Sequence, residues 1–262
     1  MVRASQVNQR AETMSNAALG RLLGSGKDAE VFECGAMVMK LFKATAQKRS
    51  AFREAAILAL VESLGLPVPP VGGVEQVGDR WGVIMARADG PSFADAVVRQ
   101  PDQTPAYLEA MALLHFQVHG HPATHLGSLK ARLLTNIRQA TILGEMRQNA
   151  LLTRLAVQPE GDRLCHGDFH PLNILGPVGH EVLVDWLDAS RGDPAADVCR
   201  SYVLIKHSAP EVASAYVDVY ASVSGESRER ILSWLPFVAA ARLAEGVPGE
   251  VDGLMEMADS HR

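Results

Sequence analysis

The sequence predicts an α+β protein with two lobes: a small antiparallel β-sheet lobe with one helix, followed by a larger, mainly helical lobe. Three observations indicate this. Strand-like patterns dominate up to about residue 88. A break containing Gly90 and Pro91 follows at residues 88–91. Helical periodicity then dominates to the C-terminus. We therefore expect an N-terminal lobe at 1–88 and a C-terminal helical lobe at 89–262, with the break as a hinge.

The composition is that of a globular protein. A chain of 262 residues with 47% hydrophobic residues can bury a core of the size at which cores begin to divide. The net charge of −5 indicates no general attraction for nucleic acid or for an anionic membrane. The three cysteines form no Cys-x-x-Cys pair, so the sequence predicts neither a disulfide framework nor a zinc site. The first twenty residues lack the apolar stretch of a secretory signal, and we expect a cytoplasmic protein.

The small lobe is predicted from alternation and turn signals. Its four strands are separated by a turn at Gly35-Ala36, by a helix, and by a turn at Gly78-Asp79. They cover residues 29–34, 37–42, 71–76 and 81–87. The helix covers residues 47–64, where apolar residues recur at helical spacing, and Gly65 with the prolines behind it predicts a firm end.

The large lobe is predicted to consist of helices with one short β interruption. Ser92 and Thr104-Pro105 are typical helix starts. The predicted helices lie near residues 105–118, 128–141 and 145–156, and helical periodicity returns from residue 194 onward. The β interruption covers residues 174–175 and 181–186.

The clearest chemical signal is the segment at residues 164–175, Leu-Cys-His-Gly-Asp-Phe-His-Pro-Leu-Asn-Ile-Leu. It places Asp168 five residues before Asn173, and Asp185 follows at the end of the next predicted strand. Phosphoryl transfer needs a carboxylate to orient and deprotonate the acceptor hydroxyl, and oxygen ligands to hold magnesium on the phosphates. Asp168 suits the first role, and Asn173 and Asp185 suit the second.

Together with Val-Asp-Trp at 184–186 and Gly-Asp-Pro-Ala-Ala-Asp at 192–197, this segment resembles the catalytic core of the aminoglycoside phosphotransferase and choline kinase family. The spacing of Asp168 and Asn173 also matches the protein-kinase catalytic loop. The resemblance implies a protein-kinase-like fold, a small-molecule hydroxyl as acceptor, and ATP or GTP with Mg²⁺ as donor. It also implies that His166 and Asp197 support the catalytic loop structurally.

A second resemblance lies in the N-terminal third. The sequence Gly24-Ser25-Gly26-Lys-Asp-Ala-Glu-Val resembles the kinase glycine-rich loop, although Ala29 stands where the third glycine is usual. It leads into a predicted hairpin, whereas a dinucleotide-binding fold requires a long helix there.

Nucleotide contacts elsewhere in the small lobe are implied by the same resemblance. Lys40, in the second strand, is expected to contact the α and β phosphates, and Glu54, on the following helix, is expected to pair with it. The residues expected to offer backbone hydrogen bonds to the adenine are Met85, Ala86 and Ala88.

Two departures from protein kinases bear on substrate and regulation. Gly167 precedes Asp168 where protein kinases carry Arg, and the seven residues between Asp185 and Asp193 leave no room for a long activation loop. We therefore expect neither control by loop phosphorylation nor a protein substrate docked on such a loop.

Other interpretations remain open at this point. His166, Asp168 and His170 spell His-x-Asp-x-His, which would suit a metallohydrolase, and a nucleotide-binding module without turnover is a third class. Asp197 could be an ordinary acid in the first turn of a helix. For His115, a satisfied core histidine is the expected role.

The family resemblance implies that acceptor specificity lies in the C-terminal helices. Residues 209–262 contain nine acidic residues and four arginines, a balance equal to the net charge of the whole chain. Carboxylates lining a site would suit a cationic acceptor, such as an aminoglycoside or a choline-like amine, as well as an amino sugar. The alternative is that these acids solvate outer helix faces. Sugars and hydroxy amino acids are further acceptor classes for this core.

Overall fold

The computed structural model describes residues 19–260 and confirms an α+β fold. The chain divides into two compact units. The first, here called the sheet unit, contains the described residues up to Asp89 and a later segment, Val182–Leu187. The second, called the helical unit, contains Gly90–Glu181 and the described residues from Asp188 onward.

The sheet unit is built on a five-stranded antiparallel sheet in the order β1-β2-β3-β5-β4. The predicted hairpin is present, with Cys34 paired to Met37 across the turn. Its elements are β1 (Leu22–Ser25), β2 (Ala29–Cys34), β3 (Met37–Phe42), α1 (Lys48–Ser63), β4 (Val71–Val77), β5 (Arg80–Ala86) and β8 (Val182–Leu183).

Helix α1 supplies the core of this unit by packing on β4 and β5. Its inward face is apolar at helical spacing, with Ala51, Ile57, Leu58 and Val61 buried. Gly65, at φ +75°, follows the helix in the left-handed conformation that glycine adopts at little cost. The predicted stop is therefore correct.

The segment Val182–Leu187 is fixed to the sheet unit by hydrogen bonds at both ends. The Leu183 amide donates to the Pro67 carbonyl over 2.8 Å, and Arg53 Nε donates to the Leu187 carbonyl over 3.2 Å. The strand is shorter than the predicted 181–186, because Asp185 has φ +64° and cannot continue a strand.

The helical unit has its core around two helices that are buried on almost every side. Helix α6 buries ten of its thirteen residues, and α9 is buried from Leu235 to Ala241. Helix α6 packs against α7 and α9, and α3 packs against α7. The helices are α2 (Phe93–Arg99), α3 (Thr104–His119), α4 (Leu129–Gln139), α5 (Gly144–Ala156), α6 (Pro194–Lys206), α7 (Pro210–Ser224), α8 (Arg228–Leu232), α9 (Leu235–Arg242) and α10 (Val251–Ala258).

Short elements complete this unit. Strand β6 (Arg163–Cys165) pairs antiparallel with β9 (Ser190–Gly192), and β7 is Ile174–Leu175. Single 3₁₀ turns lie at Pro101–Gln103, Thr141–Leu143, Pro171–Asn173 and Leu243–Glu245. Strands β6 and β9 were not predicted, since three residues are too few for a recognisable alternation.

Two further observations bear on the predictions made from composition. Within residues 19–260, no helix has both the length and the apolar character needed to cross a membrane. The three cysteines are free thiols; Cys165 and Cys199 are buried, and Cys34 is half-buried.

Candidate active site

In the sheet unit, Lys40 is the centre of an ion-pair cluster. It lies on β3, and its Nζ is 2.8 Å from Glu54 Oε1 and 2.7 Å from Asp185 Oδ1. Its side chain is 14% exposed, and the Glu54 side chain is buried. Burial alone would lower the pKa of Lys40, but the two carboxylates outweigh it and hold the pKa above its usual value. Lys40 is therefore a fixed positive charge, and the predicted contact with Glu54 is present.

Asp185 adopts an unusual backbone conformation. Within residues 19–260, it is the one residue other than glycine with a positive φ. This region is sparsely populated, although Asp tolerates it better than most side chains. The next residue, Trp186, is buried, and its indole N–H donates to the Leu183 carbonyl over 3.0 Å. The turn is thereby anchored, and the Asp185 carboxylate is held beside Lys40.

The glycine-rich turn connects β1 and β2. Gly24 pairs with Val31, Ser25 pairs with Glu30, and the Gly26 amide donates to the Ala29 carbonyl over 2.8 Å. Neither glycine has a positive φ, and a Cβ added at Gly24 would meet nothing within 4 Å. Neither backbone strain nor internal packing of the unit explains glycine at position 24. The register of β1 and β2 shifts beside Gly24, and the open space there leaves its backbone accessible to a ligand.

The residues predicted to face the adenine lie at and after the end of β5. Met85 is buried, and the Ala86 amide already donates to the Pro70 carbonyl over 2.9 Å. That amide already has a backbone partner, and the contact of these residues with an adenine stays a prediction. Ala88 lies two residues beyond the strand.

In the helical unit, Asp168 and Asn173 are brought together within one tight loop. Strand β6 leads into the loop, and the 3₁₀ turn Pro171–Asn173 ends it. Asn173 Nδ2 donates to the Asp168 carbonyl over 2.8 Å and to Asp168 Oδ2 over 3.1 Å. The amide nitrogen is thus used within the loop, and the Asn173 carbonyl oxygen is the end that can ligate a cation.

The charge state of Asp168 is set by its neighbours. His170 Nε2 lies 3.4 Å from Oδ2, and Arg200 Nη2 lies 3.9 Å from Oδ1. Burial alone would raise the pKa of Asp168, but the hydrogen bond and charge of His170, with the charge of Arg200, hold it well below its usual range. Asp168 is therefore a carboxylate at neutral pH.

Asp197 stabilises the loop that carries Asp168 by accepting hydrogen bonds from its backbone. Its Oδ2 accepts a hydrogen bond from the His166 amide over 2.7 Å, and its Oδ1 accepts one from the Gly167 amide over 2.9 Å. Asp193 caps helix α6 by accepting from the Ala195 amide over 2.9 Å. Asp197 is fully buried, which rules out the role of an exposed first-turn acid.

The His-x-Asp-x-His alternative finds no support. The His166 ring is buried, and its Nδ1 accepts from the Asp168 amide over 3.2 Å. Within residues 19–260, the three residues whose ligand atoms converge are His115, His119 and Asp197. His166, Asp168 and His170 therefore do not form a metal centre.

Arg200 was not identified from the sequence. It is buried on α6, donates through Nε to the Gly167 carbonyl over 3.3 Å, and pairs through Nη1 with Glu245 Oε1 over 2.7 Å. Its position three residues after Asp197 places both on one face of a predicted helix, which was the available signal.

Comparisons with known proteins agree with this geometry. The profile of the phosphotransferase enzyme family matches residues 20–232. No curated protein was matched by sequence. Among solved structures, the aminoglycoside phosphotransferase APH(4)-Ia, as a thermostable mutant in ternary complex with AMP-PNP and hygromycin B, is 15% identical with a TM-score of 0.66; the match covers 98% of this chain and 99% of that one.

Two other aminoglycoside kinases give similar values. APH(2")-IIa, in ternary complex with streptomycin and ATP, is 18% identical, with a TM-score of 0.61 and coverage of 99% and 98%. The 3'-phosphotransferase of type VIII is 16% identical, with a TM-score of 0.62 and coverage of 94% and 99%. At these identities the likeness is one of fold, and it confirms the protein-kinase-like architecture predicted from the sequence.

Proposed function

The chain belongs to the phosphotransferase enzyme family, which makes it a small-molecule kinase acting on a hydroxyl group, and from that premise we propose how its residues perform the reaction. The donor is a nucleoside triphosphate, ATP or GTP, bound with Mg²⁺. The observation that carries the proposal is the pairing of one half-buried lysine with two carboxylates, Lys40 with Glu54 and Asp185.

Lys40 is proposed to hold the α and β phosphates. Lys40 is positively charged, and the ion pair with Glu54 holds its ammonium group in one position. Phosphate oxygens of the incoming nucleotide would take over the contact that Asp185 now makes. The backbone at Gly24, Ser25 and Gly26 is proposed to cover the phosphates, since no side chain at Gly24 blocks the approach.

The residues suit a magnesium ion by the chemistry of their donors. Magnesium prefers carboxylate, amide and phosphate oxygens, and Asp185 and the Asn173 carbonyl supply the first two. When bound, the ion neutralises charge on the phosphates. The chain's own part is to hold these oxygens in place, through the left-handed backbone at Asp185 and the Asn173 amide contact with Asp168.

Asp168 is proposed to orient the acceptor hydroxyl and to accept its proton. The carboxylate is ionised at neutral pH, and the loop that carries it is fixed by Asp197 and Asn173. Because its pKa is low, Asp168 is a weak base, and its main contribution is to hold the hydroxyl oxygen in line with the phosphoryl group.

The acceptor is proposed to come from four classes: aminoglycosides, choline-like amines, sugars and hydroxy amino acids. Two of the similar structures hold an ATP analogue or ATP together with an aminoglycoside, which places that class first in a screen. Four of the nine acids at 209–262 already pair with arginines, so a cationic acceptor gains little from them; these are Asp218, Glu245, Glu250 and Asp259.

The proposal is tested by measuring ATP and GTP consumption across panels of the four classes, with magnesium and with the metal chelated. We expect one class to raise consumption above the rate without acceptor, and magnesium to be required. A protein that binds nucleotide but transfers phosphate to no member of the panels would favour the module without turnover.

Two matched variants separate the proposed roles. Asp168→Asn should reduce turnover by about 10² to 10⁴ while nucleotide affinity changes little, since the variant loses both the positioning of the hydroxyl and the acceptor for its proton. Asp185→Asn should weaken magnesium-dependent nucleotide binding as well, because the lost carboxylate is a proposed metal ligand. Near-normal turnover in the Asp168 variant would remove that residue from the catalytic role.

A further inference from the structure

Four buried side chains on two neighbouring helices converge on Asp197. His115 and His119 lie four residues apart on α3, and Tyr216 and Tyr220 lie four residues apart on α7. This spacing puts each pair on one face of its helix. Helices α3 and α7 pack together, so the two faces meet. All four side chains are buried.

The contacts form two parallel chains of hydrogen bonds. Tyr216 Oη is 2.5 Å from His115 Nδ1, and His115 Nε2 is 3.0 Å from Asp197 Oδ2. Tyr220 Oη is 2.6 Å from His119 Nδ1, and His119 Nε2 is 3.3 Å from the same oxygen. Each tyrosine thus reaches the Asp197 carboxylate through one imidazole ring.

The Asp197 carboxylate determines which atoms donate in these hydrogen bonds. An ionised carboxylate only accepts hydrogen bonds, so each histidine must donate through Nε2. Burial would raise the pKa of Asp197, but the hydrogen bonds from His115 and His119 outweigh it and lower the pKa well below its usual value. Burial lowers the pKa of His115 to about 3, so this ring is neutral.

A neutral imidazole has a single N–H, and its other nitrogen can only accept. With the N–H at Nε2, the Nδ1 atoms accept from the hydroxyls of Tyr216 and Tyr220. The two rings lie 4.1 Å apart, centroid to centroid, and both face the same Asp197 oxygen. The Asp197 carboxylate therefore fixes the proton of each histidine at Nε2, and the tyrosine hydroxyls fix the orientation of each ring by donating to Nδ1.

We propose that Tyr216 and Tyr220 are positioning residues for the catalytic loop. They hold the rings of His115 and His119 in the orientation that points Nε2–H at Asp197, and the two imidazoles together with the His166 and Gly167 amides complete the four donors around that carboxylate. The loop that carries Asp168 is fixed by that carboxylate. The catalytic part of this inference rests on the proposed function.

A metal ion is the competing interpretation of the same cluster, since the ligand atoms of His115, His119 and Asp197 lie within 4.8 Å of one another. Coordination would need the Nε2 lone pairs, whereas donation to Asp197 needs hydrogens on the same atoms. The tautomer therefore separates the two: Nε2–H belongs to the hydrogen-bonded network, and Nδ1–H belongs to a metal site.

The first measurement is nitrogen-15 NMR of the full chain labelled in histidine, which requires no acceptor. In the unaltered protein we expect His115 and His119 to be Nε2–H, assigned with His115→Gln and His119→Gln. Tyr216→Phe should leave the proton of His115 on Nε2 and shift its Nδ1 resonance, which loses a hydrogen-bond donor, and Tyr220→Phe should do the same at His119. Nδ1–H signals in the unaltered protein, or stoichiometric metal, would overturn the proposal. An Nδ1 resonance that does not move in either variant would also overturn the proposal.

The second measurement is turnover with the acceptor found in the screen. Each Tyr→Phe variant should lose roughly fivefold to tenfold in kcat with little change in the KM for nucleotide, the scale of one net hydrogen bond. Tyr202→Phe is the matched control, because Tyr202 is a buried tyrosine on α6 outside this cluster. An unchanged kcat in both variants, or an equal loss in the control, would refute a positioning role.

A conservative substitution gives an internal check. In His115→Gln the nitrogen of the side-chain amide can donate to Asp197 whether or not the Tyr216 hydroxyl contacts that side chain. Adding Tyr216→Phe to that variant should therefore cost no further activity, and the two changes should be non-additive. Full additivity would contradict a pathway through the imidazole. A failure of all kinase assays, with the expected tautomers present, would count against the proposed function and leave the hydrogen-bond network intact.

Discussion

Replacing Arg200 by Met should move the acid limb of the activity profile to higher pH. Arg200 Nη2 lies 3.9 Å from Asp168 Oδ1, and this charge is one of those that hold the pKa of Asp168 below its usual range. Met keeps much of the buried stem and removes the charge. The carboxylate then protonates at a higher pH, and the protonated form cannot accept the proton of the acceptor.

The size of the effect follows from the distance. Two unit charges about 4 Å apart interact by about 1 kcal/mol in water and by about 4 kcal/mol at an effective dielectric constant of 20. The Asp168 side chain is 27% exposed, which puts it between these limits. Since about 1.4 kcal/mol corresponds to one pKa unit, the acid limb should rise by about one to about three pH units.

The assay is kcat against pH at saturating nucleotide and acceptor, for the unaltered protein and the variant. Arg242→Met is the matched control, because Arg242 also pairs with Glu245 and is bonded to Glu250 rather than to Asp168. In Arg200→Met the Glu245 carboxylate loses its contact with Arg200. Combining this change with Glu245→Gln removes the negative charge of Glu245, so that it cannot account for the shift. An acid limb at the same pH in the Arg200 variant and the unaltered protein would refute the electrostatic argument.

Two other changes have defined outcomes. Lys40→Ala should weaken nucleotide binding measured by calorimetry and lower the midpoint of thermal unfolding without abolishing the fold, because Glu54 loses a partner; unchanged affinity would remove Lys40 from the phosphate site. The free energy of unfolding should fall as pH drops below about 6.5, by at most about 1.4 kcal/mol per pH unit for each proton taken up. The reason is that His115, with its pKa lowered to about 3, stays neutral in the folded state while the unfolded chain protonates. Urea titrations at several pH values check this. If the free energy of unfolding of His115→Gln fell with pH as steeply as that of the unaltered protein, the explanation would be contradicted.

Local sequence patterns predicted the elements and residues that depend on near neighbours. The hairpin of β2 and β3 is encoded by alternation around Gly35-Ala36, and the contact between Asp168 and Asn173 lies within one short loop. The Lys40 contact with Glu54 was also expected, although from family resemblance rather than from the pattern itself. The placement of these residues in the fold needed little long-range information.

Contacts between distant residues could not be read in the same way. His115 and Tyr216 are 101 positions apart, and nothing in either helix identifies the other as its partner. The proximity of Arg200 to Asp168 depends on how α6 lies against the catalytic loop. The left-handed backbone of Asp185 is a property of its anchored turn, and the residue type alone does not require it.

Thiol accessibility differs sharply among the three cysteines. Burial raises the pKa of the Cys165 and Cys199 thiols, and the thiolate is the nucleophilic form, so both are protected from alkylation at neutral pH. Cys34 is half-buried beside the Gly35 turn, in the sheet unit. A maleimide dye added to the native protein will therefore attach at this hairpin, and a fluorescent label can be placed in the sheet unit without engineering a cysteine.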